Sequence, residues 1–161
     1  MTGRSRVHHV GLTVSDLDRA LEFWQVFLGV EARWRATLER PYLGRLVGYP
    51  GVRIETTVID LPDGPMLELL EYKLKDRDVN DEGSAHPGHV HLCLAVDNID
   101  SAWARAVACG ARSLVPDGPV NVDGGPNKGA RVSYLRVPPD WATLELLQPA
   151  SIPRANGVRN E

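Results

Sequence analysis

The chain repeats itself. The stretch "HVGLTVSDLDRA", His9 to Ala20, aligns without a gap on "HLCLAVDNIDSA", His91 to Ala102, at an offset of 82 residues. His9 pairs with His91, Val14 with Val96, Asp18 with Asp100 and Ala20 with Ala102. The ends of the two copies also match. "MLELLEYK", starting at Met66, falls on "TLELLQPA", starting at Thr143, with Glu68 opposite Glu145 at an offset of 77. A repeat of this kind means one structural unit used twice. The units run over about 1–73 and 89–149, joined by a polar linker over 74–88, "LKDRDVNDEGSAHPG". Residues 150–161 read as a flexible tail. With 161 residues, neither half has enough core to stand alone comfortably, so the expectation is one domain over 1–149.

Each unit spells the same order of elements. "VHHVGLTV" alternates apolar and small or polar residues, as a strand does. Ser15 with Asp18, and Asp97 with Asp100, offer helix N-caps. Leu17, Ala20, Leu21, Trp24, Phe27 and Leu28 then fall on one helical stripe, as do Ile99, Ala102, Trp103 and Val107. Gly29 and Gly110 end these helices. Three strand-like runs follow in each copy: about 31–39, 52–61 and 65–73, then 112–116, 130–137 and 142–148. The reading is α+β, built as βαβββ twice. The Tyr- and Arg-bearing stretch 39–51 is expected as a loop over the mouth of the site, and "GGPNKG" as a turn-rich loop without phosphate-binding spacing.

Strand parity separates two faces. Val10, Leu12 and Val14 suit the helix side and leave His9, Gly11 and Thr13 on the other; His8 falls with the helix side. Leu92, Leu94 and Val96 leave His91, Cys93 and Ala95 opposite. Leu67 and Leu69 alternate with Glu68, and Leu144 and Leu146 with Glu145. A carboxylate on a mostly apolar sheet face takes a partner, shifts its protonation, or binds a cation. A lone Glu of this kind is more often simply paired, and a lone strand His is similar. Two His and two Glu at repeat-related positions are another matter. His9, Glu68, His91 and Glu145 form the donor set of a divalent metal site. His89 shares the face of His91 but lies at the strand mouth, and His86 falls in the linker.

Composition narrows the classes. A net charge of −3 gives no basic footprint for nucleic acid and no polybasic membrane patch. The first residues contain no long apolar stretch, so a cytoplasmic location is the expectation. Cys93 and Cys109 lack metal or redox spacing and read as free thiols.

The duplicated unit, with "HHVGLTVSDLDRALEFW" opening one copy and "HLCLAVDNID" the other, resembles the vicinal oxygen chelate superfamily over about residues 6–149. That superfamily includes glyoxalase I, methylmalonyl-CoA epimerase, extradiol dioxygenases, fosfomycin-resistance enzymes and bleomycin-binding proteins. The resemblance implies a cupped, barrel-like mixed sheet and a homodimer. It implies one divalent ion (Ni, Co, Zn, Mn or Fe) on His9, Glu68, His91 and Glu145. It further implies a metal-dependent isomerase, epimerase or lyase that polarises a small substrate's carbonyl and moves an adjacent proton. Glu145 and Glu68 are then candidate bases, and Glu55 is a third. The alternatives are an extradiol-type dioxygenase and a metal-free, drug-sequestering binding protein. Glu68 is itself a departure from epimerases, which often carry Gln there.

Overall fold

The computed structural model describes residues 7–62, 64–74, 90–115 and 117–150. Strand β1 (His9–Thr13) leads into helix α1 (Leu17–Leu28), then β2 (Ala32–Leu38), a short helix α2 (Pro41–Val47), β3 (Ile54–Asp60) and β4 (Met66–Tyr72). The second unit opens with β5 (His91–Ala95) and α3 (Ile99–Ala108). It continues through β6 (Arg112–Ser113), β7 (Val120–Asn121), β8 (Arg131–Val137) and β9 (Ala142–Gln148).

The strands form two mixed sheets, one per unit. The first has the order β1-β4-β3-β2, and the second β5-β9-β8-β6, with β7 paired to β8. In each, the opening strand runs parallel to the closing one and the other pairings are antiparallel. The offsets of the sequence repeat thus reappear as ladder register. Gly11 lies opposite Glu68, and Cys93 opposite Glu145.

Leu17, Ala20, Phe23, Trp24 and Phe27 of α1 are buried, as are Ile99, Ala102 and Ala106 of α3. Their core cluster takes in Leu67 and Leu69 from the first sheet and Leu135, Leu144 and Leu146 from the second. Apolar residues at helical and two-residue spacing from both units therefore meet in one core, where each fully buried Leu contributes roughly 1.5–3 kcal/mol. Two polar contacts also join the units. Asp140 accepts the Ser15 N–H at 2.7 Å, and Arg105 Nε donates to the Phe27 carbonyl at 2.8 Å.

Three local expectations change. The N-caps are Asp16 and Asn98, one residue after Ser15 and Asp97. Their side chains accept from Arg19 N and Ser101 N. Asp and Asn rank with Ser as caps, so the choice follows where the strand ends. The stretch 39–51 holds helix α2 in place of a plain loop, with Pro41 in its first turn. The strand expected over 112–116 is only Arg112–Ser113, because Ser113 turns its hydroxyl onto the Val115 carbonyl at 2.7 Å.

Candidate metal centre

Cross-strand partners project from the same face of a sheet, so the register assembles the candidate site. On the first sheet His9, Glu68, Leu70 and Tyr72 share a face with Val58 and Thr56 of β3. On the second, His91, Cys93, Thr143, Glu145, Tyr134 and Arg136 share the equivalent face. The opposite faces, carrying Leu67 and Leu69, then Leu144 and Leu146, are the buried ones.

Each His meets its Glu. His9 Nε2 lies 3.3 Å from Glu68 Oε2, and His91 Nε2 lies 3.0 Å from Glu145 Oε2. The imidazoles are well exposed, at 44% and 42%, and the carboxylates less so, at 19% and 17%. The surroundings differ between the copies. Glu68 accepts from Thr56 Oγ1 at 3.2 Å and has Gly11 and Val58 as its cross-strand neighbours. Glu145 has Cys93 and Tyr134 there, and Tyr134 Oη donates to it at 3.1 Å. Burial first, and then the Glu145 charge, raise the Tyr134 hydroxyl above its ordinary pKa and push the Cys93 thiol up to about 11. Both groups stay protonated at neutral pH and serve Glu145 as donors.

The donor set suits a divalent ion of the first transition row: two imidazole nitrogens and two carboxylates. Two neighbouring ligands at right angles, each ~2.1 Å from such an ion, stand about 3 Å apart. Both His–Glu separations have that spacing. The two pairs nonetheless remain separate. Among the described residues no group of three or more His, Cys, Asp or Glu is placed to hold one ion. Each sheet thus presents half of the expected quartet.

Glu55 does not join either pair. The register sets Val58 and Thr56, not Glu55, on the face of Glu68. Glu55 is instead held by Arg35 at 3.2 Å and Arg53 at 3.3 Å. Two guanidiniums thus meet this carboxylate on the face of β3 turned away from Glu68. His8 is exposed and lies outside the helix-packed face where parity would put it, because β1 begins only at His9. Its Nδ1 lies 2.9 Å from Nδ1 of His9. His86 and His89 lie outside the described residues.

Some functional neighbours were not evident in the sequence. Tyr134 and Thr56 reach the glutamates only through cross-strand register, which a sequence does not print. Glu71 and Gln148 were available from the repeat, at the same 77-residue offset as the metal-face glutamates. Glu71 accepts the Leu17 N–H at 3.1 Å and Gln148 the Ile99 N–H at 2.8 Å, so each closing strand caps its own unit's helix.

A cavity of about 660 Å³ lies beside α2, lined chiefly by Arg40, Arg45, Arg53, Pro41 and Pro50. None of the four candidate donors lines it. In the same loop, Tyr49 packs edge-on, at 6.1 Å between ring centres, against Tyr72 on the Glu68 face of β4.

The comparisons with known proteins agree with this architecture. The chain is 32% identical to a 2-epi-5-epi-valiolone epimerase of Actinomyces sp. over 164 aligned residues, covering 95% of this chain and 87% of the relative. A glyoxalase family protein from Bacillus cereus superposes with a TM-score of 0.76 at 22% identity, covering 93% of this chain and 99% of that one. Glyoxalase I from Zea mays superposes with a TM-score of 0.64 at 19% identity, covering 92% of this chain and 46% of that one. The family model for the Glyoxalase/Bleomycin resistance protein/Dioxygenase superfamily matches residues 8–134. The repeated unit, the two sheets and the sequence match together place the chain in that superfamily, to which it belongs.

Proposed function

We propose that this protein is a metal-dependent epimerase that inverts a carbon next to a ketone carbonyl in a small molecule, working as a homodimer. The observation that carries the reading is the repeated His–Glu pair, His9 with Glu68 and His91 with Glu145, one on each sheet. The relative named as an epimerase, with a ketone in its substrate's name, supports it. His9, Glu68, His91 and Glu145 would hold the ion. When bound, it would act as a Lewis acid, polarising the carbonyl and offsetting the charge left when the neighbouring proton departs.

The protein's own residues supply the rest. Epimerisation removes a proton from one side of a carbon and returns one to the other. Two carboxylates, brought from two sheets, are suited to face the two sides. Glu145 is the first candidate for the proton transfer, its carboxylate oriented by the Tyr134 Oη hydrogen bond at 3.1 Å. Glu68, with only Thr56 as a hydroxyl donor among the described residues, is the partner carboxylate. Because the two pairs stand apart within one chain, a homodimer offers a route by which the sheets of two copies complete one quartet.

The test is metal content and isotope exchange. Gently purified protein is expected to carry or take up about one divalent ion per chain. With 2-epi-5-epi-valiolone as the first probe in deuterated water, deuterium should enter next to the ketone. Protein that neither retains nor takes up metal, at a pH where imidazoles are neutral, overturns the reading. It would then point to the metal-free binding role.

A further inference from the structure

Helix α2 interrupts the duplication. In the first unit it fills the connection from β2 to β3; the second unit carries strand β7 between β6 and β8 and, among the described residues, no helix there. The packing of α2 makes the cavity beside it. Gly44 brings the helix against the backbone of the loop that follows, since a Cβ at this position would lie 2.9 Å from the Tyr49 carbonyl oxygen. That loop turns through Gly48 and Gly51, at φ 80 and 74, where glycine is the residue that fits without strain. The Val52 N–H closes it on the Tyr49 carbonyl at 3.1 Å. The resulting hollow, about 660 Å³, falls within the roughly 300–1,000 Å³ of small-molecule sites.

Its charge is one-sided. Among the described residues its wall carries three arginines, Arg40, Arg45 and Arg53, and one acid, Glu39, in a chain whose net charge is −3. Glu39 is taken up by Arg53 at 3.1 Å, and Arg53 also meets Glu55 at 3.3 Å. Arg40 and Arg45 form no hydrogen bond or ion pair with any described residue. Two guanidiniums without a carboxylate thus border an apolar wall of Pro41, Pro50 and Val52. A cleft lined by one sign of charge draws in the opposite sign, and guanidiniums match the planar, forked geometry of carboxylates and phosphates. The apolar wall suits a carbon body attached to such a group.

The hollow also stands apart from the candidate metal centre. Its wall residues Val52 and Arg53 lead into Ile54, which pairs with Tyr72. Along β4, Tyr72 lies four residues beyond Glu68, roughly 13 Å at strand spacing.

We infer that this hollow is a second ligand site, for a small organic anion whose carboxylate or phosphate is held by Arg40 and Arg45 and whose apolar body lies on Pro41, Pro50 and Val52. It does not depend on the epimerase reading, because none of His9, Glu68, His91 and Glu145 contributes to its wall. It belongs to the first unit alone, as α2 does.

Isothermal titration calorimetry of the full-length, chelator-treated protein tests it, so the metal centre and this site stand or fall separately. Phenyl phosphate and benzoate serve as separate probes, each against sodium chloride of matched ionic strength. Saturable binding is expected with at least one, and the tighter probe identifies the charged group. Arg40→Gln and Arg45→Gln, each checked for unchanged thermal unfolding, should weaken binding about tenfold or more, the scale of a lost hydrogen bond to a charged group. Glu39→Gln removes the acid from the wall and should tighten it. Arg33→Gln, near the other end of β2, is the control and should leave the affinity unchanged. Absence of saturable binding with either probe overturns the inference. So do affinities that stay unchanged in both Arg40→Gln and Arg45→Gln, or that fall equally in Arg33→Gln.

Discussion

Glu71 Oε2 accepts the backbone N–H of Leu17 at 3.1 Å, tying the closing strand of the first unit to the start of its helix. Glu71 is 8% exposed and lies on the opposite face of β4 from Glu68. Two glutamates three residues apart in "ELLE" thus do unrelated work. One satisfies an unpaired helix donor, and the other faces the candidate metal centre.

Glu71→Ala should therefore destabilise the fold by about 1–2 kcal/mol, the scale of a lost cap or buried hydrogen bond. Glu71→Gln should retain most of that stability, because Gln148 performs the same task at Ile99 in the second unit. Urea unfolding of the two variants checks this. Equal loss in both would mean that the charge, shared with Lys73, matters more than the cap.

Acid stability should depend on Asp100. Arg131 grips it at 2.5 and 2.8 Å and holds its carboxyl below the usual carboxylate range. The folded pKa is the lower one, so the contribution is present above the unfolded value, about 4. It disappears as pH falls through the folded value. Asp100→Asn should flatten the acid limb of a plot of unfolding midpoint against pH below about 4. It should leave the slope at neutral pH unchanged. High salt should shrink the difference, since both groups are exposed.

Gly44 should not tolerate a side chain. A Cβ there would lie 2.9 Å from the Tyr49 carbonyl oxygen, 3.0 Å from Pro50 Cα and 3.1 Å from Gly51 N. All three are backbone atoms, which cannot swing aside. Gly44→Ala should cost about 1–3 kcal/mol, as overpacking does. It should also separate Tyr49 from Tyr72, which a shift in tyrosine fluorescence or NMR ring signals would report. A neutral result would mean that α2 sits loosely on the loop that follows it.

The fold was legible because the repeat was. Matching His9 with His91 and Glu68 with Glu145 sets strand order and parity, and the buried leucines follow. What was not legible depends on how strands align after folding. Glu55 differs from Thr56 by one residue in sequence, yet pairing turns it to the other face, beside Arg35 and Arg53. Tyr134 reaches Glu145 only because β8 and β9 set them opposite each other. Helix α2 has no counterpart in the second unit, so the repeat could not announce it. Nor does a sequence show how two sheets are set against each other, which decides how the His9–Glu68 and His91–Glu145 pairs meet.

Those two pairs differ enough for mutation to separate them. Glu145→Gln keeps the shape of the side chain and a weak oxygen ligand, while removing the charge and nearly all basicity. Leu144 and Leu146 supply the packing around it and are fully buried, so the fold should survive. If Glu145 carries the proton, turnover should fall at least about a hundredfold, the usual scale of a lost acid–base group. Metal binding should also weaken. Glu68→Gln is the contrast. Its neighbours, Gly11 and Val58, offer no side-chain hydrogen bond where Cys93 and Tyr134 flank Glu145. A division of roles in which Glu68 mainly holds the ion predicts a smaller loss of turnover and a comparable loss of metal affinity. Equal losses of turnover would mean that both carboxylates carry protons. Deuterium exchange next to the ketone, measured at saturating metal, distinguishes the outcomes. Full exchange in Glu145→Gln would remove that glutamate from the chemistry and leave Glu68 as the carboxylate to test.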